Sequence, residues 1–160
     1  MAESIFFDKN TTRAEQYEQI IPQIKTLTEF EPDTIANLAN VAAVLKEVFD
    51  FLWVGFYVWR TDELVLGPFQ GPIACTRIKS GRGVCGISYE KAKTIIVPNV
   101  EELENYISCS FATRSEIVVP IFKNGKVVAV LDLDSDQLND FDEIDQKYLE
   151  QLVILIANKW

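Results

Sequence analysis

The segment SEIVVPIFKNGKVVAVLDLDS, residues 115–135, constrains the fold more than any other stretch. Two β-branched runs flank Asn124-Gly125, a dipeptide that readily supplies the left-handed backbone of a tight turn, so an antiparallel hairpin is predicted. Face parity sets the expected register. A two-residue turn would pair Lys123 with Lys126 and set Ile117 against Asp132, mixing apolar and charged residues on one face. A three-residue loop, Lys123-Asn124-Gly125, instead pairs Phe122 with Lys126 and Glu116 with Asp132. That register gives one wholly apolar face of Ile117, Val119, Ile121, Val127, Ala129, Leu131 and Leu133. The other face carries Val118, Pro120, Val128 and Val130 and ends in Glu116, Asp132 and Asp134. Like charges placed opposite one another destabilise a sheet unless a cation or a shared proton compensates. Strand ends that simply emerge into water are the ordinary alternative.

The remaining pattern wraps helices around this sheet. Thr12 and Glu15 form a capping-box signal, and Tyr17, Ile20, Ile21 and Ile24 keep helical spacing, predicting a helix over about residues 12–28 with Pro22 inside. Pro32 suits the first turn of a second helix whose apolar stripe is Ile35, Leu38, Val41, Ala42, Leu45 and Val48. LWVGFYVWR and LVLGPF then read as two antiparallel strands. On the first of them Trp53, Gly55, Tyr57 and Trp59 share a face, and Gly55 leaves a gap between aromatic walls that is either core or a niche for a small apolar group. QGPIACTRIKSGRG reads as an irregular loop, 84–93 as a short helix, TIIVP as a strand, and 99–114 as a second irregular region. Asp140 with Glu143 resembles a capping box for a last helix carrying Phe141, Ile144, Tyr148, Leu152 and Leu155.

Composition limits the chemistry. Fifteen basic against twenty-four acidic side chains give a net charge of −9, which repels nucleic acid and anionic membrane surfaces. No run approaches a membrane span of ~20 apolar residues, and the N-terminus lacks the order of a secretion signal, so a cytoplasmic, single-domain chain over 1–160 is expected. There thiols stay reduced, and Cys75, Cys85 and Cys109 are either inert or reactive rather than a disulfide framework. Histidine is absent, which removes imidazole bases and His-ligated zinc. Without a CxxC pair no metal site is expected. Asp132, Asp134, Asp136 and Glu143 match a calcium loop only partly, since Gln137 stands where that loop needs glycine. Chemistry therefore falls to thiols, carboxyls, aromatics and backbone amides.

FLWVGFYVW, LVLGPFQGPIACTRIKSGRGVCG, SEIVVPIF and GKVVAVLDLDS, in this order, resemble the free methionine-(R)-sulfoxide reductases, which are single GAF domains. The likeness runs from about residue 15 to the last helix. It implies an α+β GAF fold: an antiparallel sheet of about six strands, the N- and C-terminal helices on one face, and ligand-covering loops on the other. It also implies reduction of free methionine (R)-sulfoxide without a cofactor, with a thioredoxin-type reductant as partner. By the same resemblance Cys109 matches the nucleophile, Cys75 the cysteine that closes a disulfide with it, and Cys85 a third family cysteine. Trp53, Tyr57, Glu116, Asp132 and Asp134 match pocket positions. Exposed faces of the first and last helices could support a homodimer.

The chemistry fits those residue types. A sulfoxide sulfur becomes electrophilic as its oxygen gains a proton, and clustered acids can keep one carboxyl protonated at neutral pH. Glu116 and Asp134 are the candidates for that role, and Asp132 for holding the substrate's ammonium. Trp53 and Tyr57 would hold the S-methyl group, and amides around Gly81 to Val84 the carboxylate. Nearby acids would also raise the nucleophile's pKa, a cost that the substrate ammonium, proton sharing or Arg114 would have to offset. A GAF module that binds a small molecule or senses redox state without catalysis is the alternative.

Overall fold

A computed structural model describes residues 4–104, 106 and 110–160. Helix α1 spans Arg13–Glu29, capped by the expected Thr12–Glu15 box, with Pro22 accommodated inside. Helix α2 spans Thr34–Phe49, and the Asp33 side chain accepts the Ala36 N–H as its N-cap. Pro32 thus precedes the cap instead of occupying the first turn, and Ile35 is 62% exposed, outside the apolar stripe expected to include it.

Strands β1 (Trp53–Arg60) and β2 (Glu63–Gln70) form a hairpin closed by Thr61 and Asp62. Strand β3, Arg77–Lys79, pairs with β2 inside the stretch expected to be irregular. Helix α3 (Gly83–Lys91), β4 (Ile95–Val97) and a single 3-10 turn at Val100–Glu102 follow. Strands β5 (Ser115–Lys123) and β6 (Lys126–Ser135) are the predicted hairpin, and α4 spans Glu143–Ala157. Its cap is Asp142, in a box with Asp145, not Asp140 with Glu143. Asp140 is engaged elsewhere, by Arg13 at 2.8 Å and by the Ser135 hydroxyl.

The sheet runs β3-β2-β1-β6-β5-β4 with every neighbouring pair antiparallel. One face, including Val54, Phe56, Ile117, Val119, Ile121, Ala129, Leu131 and Leu133, packs against α1, α2 and α4. The opposite face, with Trp53, Tyr57, Val118 and Val130, packs against α3 residues Val84 and Cys85. The terminal helices and α3 thus divide the molecule into a thick core and a thinner, loop-covered side.

The hairpin register departs from the expected one in an instructive way. Lys123 faces Lys126 across a two-residue turn, with Asn124 and Gly125 both at positive φ, and Phe122 faces Val127 rather than Lys126. A bulge then leaves Val128 as an extra residue, so that Ile121 faces Ala129 and Glu116 faces Asp134 instead of Asp132. The bulge restores the parity of the strand bodies, and the predicted apolar face survives. Only Val127 and Val128 exchange sides.

Gly86 fixes how closely α3 can lie on the sheet. A Cβ there would stand 2.3 Å from the Lys79 carbonyl oxygen, a backbone atom that cannot rotate away. Gly86→Ala is therefore expected to cost about 2 kcal/mol and lower the melting temperature by roughly 4–8 °C. An unchanged thermal melt would show that α3 is not seated this tightly.

Candidate active site

The three acids occupy the end of β5 and β6 on the α3 side of the sheet. Glu116 lies opposite Asp134, and Asp132 lies between Val118 on β5 and Gly55 on β1. Gly55 carries no side chain beside Asp132, and the indole of Trp53 folds over it: a Cβ at Gly55 would meet the Trp53 ring at 2.4 Å. The gap expected between Trp53 and Tyr57 is thus filled by Trp53 itself, whose ring stacks 5.9 Å from Tyr57 and 5.3 Å from Phe69. Helix α3 contributes Gly83, Val84 and Cys85 from above, and Tyr106 and Thr113 close the side. Arg82 caps α3 without a side-chain hydrogen bond.

The cleft that the three acids line is narrow, about 20 Å³, room for a water molecule. Much larger hollows exist, including one of about 800 Å³ beside Trp59, Tyr89, Lys126 and Trp160, but they lie away from the three acids. Glu116 and Asp132 are buried and Asp134 is half-buried. Among the described residues the Oδ1 atom of Asp132 has no hydrogen-bond partner.

Burial is the largest cause of the altered acidity here. It raises Glu116 well above the usual carboxylate range, and the charges of Asp132 and Asp134 raise it further. Asp134 is likewise pushed well up by burial and then by Asp132, with Thr113 hydrogen bonding opposing the shift. Asp132 is raised to about 7 by burial, held down by hydrogen bonding from Cys85 and Glu116. All three carboxyls are thus shifted toward the protonated form, chiefly by burial and then, for Glu116 and Asp134, by their neighbours' charge. Cys85 is a buried free thiol, raised well above its ordinary value by burial and then by Asp132 and Glu116. It is a poor nucleophile for that reason.

Cys75 lies in the segment between β2 and β3 and is disulfide-bonded. Two site aromatics hold that segment: the Tyr57 hydroxyl donates to the Cys75 carbonyl at 2.9 Å, and Trp53 Nε1–H donates to the Pro72 carbonyl at 3.1 Å. Cys109 lies outside the described residues, so its distance to the acids is not part of this geometry. Arg114 is half-exposed and bound to Glu101 at 2.7 Å; its bearing on Cys109 falls outside the described residues. Asp136 and Glu143 are exposed and do not join Asp132 and Asp134, so the calcium-loop spacing is not a site. Sequence reasoning missed Ile78, Tyr106 and Thr113 as lining residues; all come from segments with no periodicity to reveal their direction.

The GAF domain family matches residues 33–160. GAF domain-containing protein A of Dictyostelium discoideum is 56% identical over 99% of this chain and 100% of its own. The free methionine-R-sulfoxide reductase of Saccharomyces cerevisiae is 37% identical over 97% of this chain and 91% of its own. The chain belongs to the free methionine-R-sulfoxide reductase family of GAF domains. A solved member of that family, the Neisseria meningitidis enzyme in complex with its substrate, superposes with a TM-score of 0.95 at 47% identity. It covers 98% of this chain and 94% of its own. Family membership accords with the α+β fold expected from the sequence, including the six-stranded sheet.

Proposed function

We propose that this chain reduces free methionine (R)-sulfoxide to methionine, using Cys109 as nucleophile and Cys75 as the resolving thiol. The observation that carries the reading is the buried cluster of Glu116, Asp132 and Asp134, whose carboxyls burial and mutual charge shift toward the protonated form, Asp132 to about 7. Glu116 or Asp134 gives a proton to the sulfoxide oxygen as the Cys109 thiolate attacks sulfur. The protonated oxygen then passes from the substrate sulfur to the Cys109 sulfur as the S–O bond and the S–S bond made in the attack both break, so that methionine leaves and Cys109 becomes a sulfenic acid. The Cys75 thiol then displaces that oxygen as water, and a thioredoxin-type dithiol reduces the resulting disulfide. Cys75 suits this role because it sits in a disulfide-competent loop, whereas Cys85 is a buried free thiol held toward Asp132.

Asp132 anchors the substrate's ammonium, for which its unpartnered Oδ1 is suited. The first amides of α3 take the carboxylate, and Trp53 and Tyr57 face the S-methyl group. A chamber of about 20 Å³ cannot enclose an amino acid, so the segments bearing Cys75 and Thr113 must move to admit one. We place the enzyme in the cytoplasm as a single domain over 1–160, with a homodimer through the outer helices α1 and α4. No helix among the described residues is long and apolar enough to cross a membrane.

The test is incubation of the reduced protein with each epimer of free methionine sulfoxide and dithiothreitol, followed by measurement of methionine. Conversion of the R epimer alone is expected; amino-acid binding with no methionine formed would assign a non-catalytic module instead. In single-turnover form the same assay carries a pH expectation. The proton donor is lost as pH rises through the cluster's raised pKa values, so the rate should fall on the alkaline side. A rate that climbs steadily through that range, following thiolate formation alone, would remove the acids from proton transfer.

A further inference from the structure

The chamber also has the dimensions and donors of an ion site. Cys85, Glu116 and Asp132 each offer one ligand atom, a thiol sulfur and two carboxylate oxygens, and these atoms all lie within 4.8 Å of one another. All three residues are buried. Asp132 is only 6% exposed, and its Oδ1 atom is without a partner among the described residues. The cavity they line is about 20 Å³, far nearer the size of a cation than of an amino acid.

We propose that Cys85, Glu116 and Asp132 form a binding site for a thiophilic divalent cation of the zinc class, which closes the chamber to substrate. A sulfur ligand with two oxygens favours zinc or cadmium over magnesium or calcium, which take oxygen-only sets. Bond lengths of about 2.3 Å to sulfur and roughly 2.0–2.2 Å to oxygen place tetrahedral ligands roughly 3.4–3.7 Å apart. The donors, within 4.8 Å of one another, therefore need to draw together by at most about 1.4 Å, with water or Asp134 as the fourth ligand. On binding, the protons held by the thiol and the carboxyls pass to solvent and the cation takes their place. Binding needs neither Cys75 nor Cys109. Its inhibitory consequence rests on the sulfoxide-reductase reading of the same chamber, whereas the binding itself does not.

Cadmium is the probe, because a thiolate bound to it gains a ligand-to-metal absorption band in the ultraviolet. The reduced full-length protein, freed of small thiols, is titrated with cadmium chloride. One equivalent bound with that band is expected, lost in Cys85→Ser and retained in Cys75→Ser and in Cys109→Ser. Asp132→Asn, which keeps the thiol and the fold, should weaken binding at least tenfold and decides the matter if Cys85→Ser proves unstable. A band that survives in Cys85→Ser, disappears instead in Cys109→Ser, or never forms in the unaltered protein overturns the proposal. Metal binding with no methionine produced in the metal-free assay would sink the reductase reading and leave this one standing.

Discussion

Asp132→Asn is expected to make the protein more stable and less active at the same time. In the fold the Asp132 carboxyl titrates near 7, against an ordinary value of 3.8. Between those values the folded chain holds a proton that the unfolded chain releases. Stability from this group is therefore intact below about pH 4 and is lost progressively as pH rises to about 7. Asparagine cannot ionise and escapes the loss, so variant and parent should melt alike near pH 4 and diverge toward pH 7.5. The full difference in acidity corresponds to about 4 kcal/mol. Proton sharing with Glu116 and Asp134 spreads it over the cluster, and about 2 kcal/mol, or roughly 4–8 °C, is the expected gain for Asp132 alone. Activity moves the other way: removing the buried partner of the substrate ammonium should lower kcat/KM roughly 100-fold or more. A variant that melts below its parent at pH 7.5 would show that the carboxylate is stabilised by its surroundings rather than strained by them.

Cys109→Ser should abolish methionine production, by at least about 1,000-fold in the first turnover as well as in cycling. A serine hydroxyl is a far weaker nucleophile at neutral pH, and no histidine exists in the chain to activate it. The companion result separates the thiols: Cys75→Ser should release one methionine per protein and then stop with thioredoxin as donor. If Cys109→Ser cycles normally, the nucleophile is another residue; if Cys75→Ser does, recycling passes through Cys85.

Much of this was legible from residue pattern, and the exceptions have physical causes. The hairpin's faces were readable because one side must be apolar to meet the helices, and parity alone enforces that. Its turn was not, because a two-residue turn with a bulge at Val128 and a three-residue loop produce the same parity in the strand bodies. The two solutions differ by a shift that moves the partner of Glu116 from Asp132 to Asp134. The start of α4 was misplaced because Asp140 and Asp142 are both plausible caps locally. Arg13, more than a hundred residues earlier in the chain, claims the first. Strand β3 was hidden by its brevity and by glycine-rich neighbours. Cys85, Glu116, Asp132 and Asp134, singled out by residue chemistry and resemblance, line one cavity. The direction of Thr113 and Tyr106 depended on loop packing, which leaves no trace in spacing.

The hydrogen bond from the Trp53 indole to Pro72 gives the molecule a built-in optical reporter. That ring is 3% exposed and stacked on Phe69 and Tyr57, and its N–H grips the segment that carries Cys75. Trp59 and Trp160 flank a separate hollow. The proposed opening of the Cys75 segment would break the indole's bond and wet its edge, so a change in intrinsic fluorescence on reduction is the expected sign of that motion.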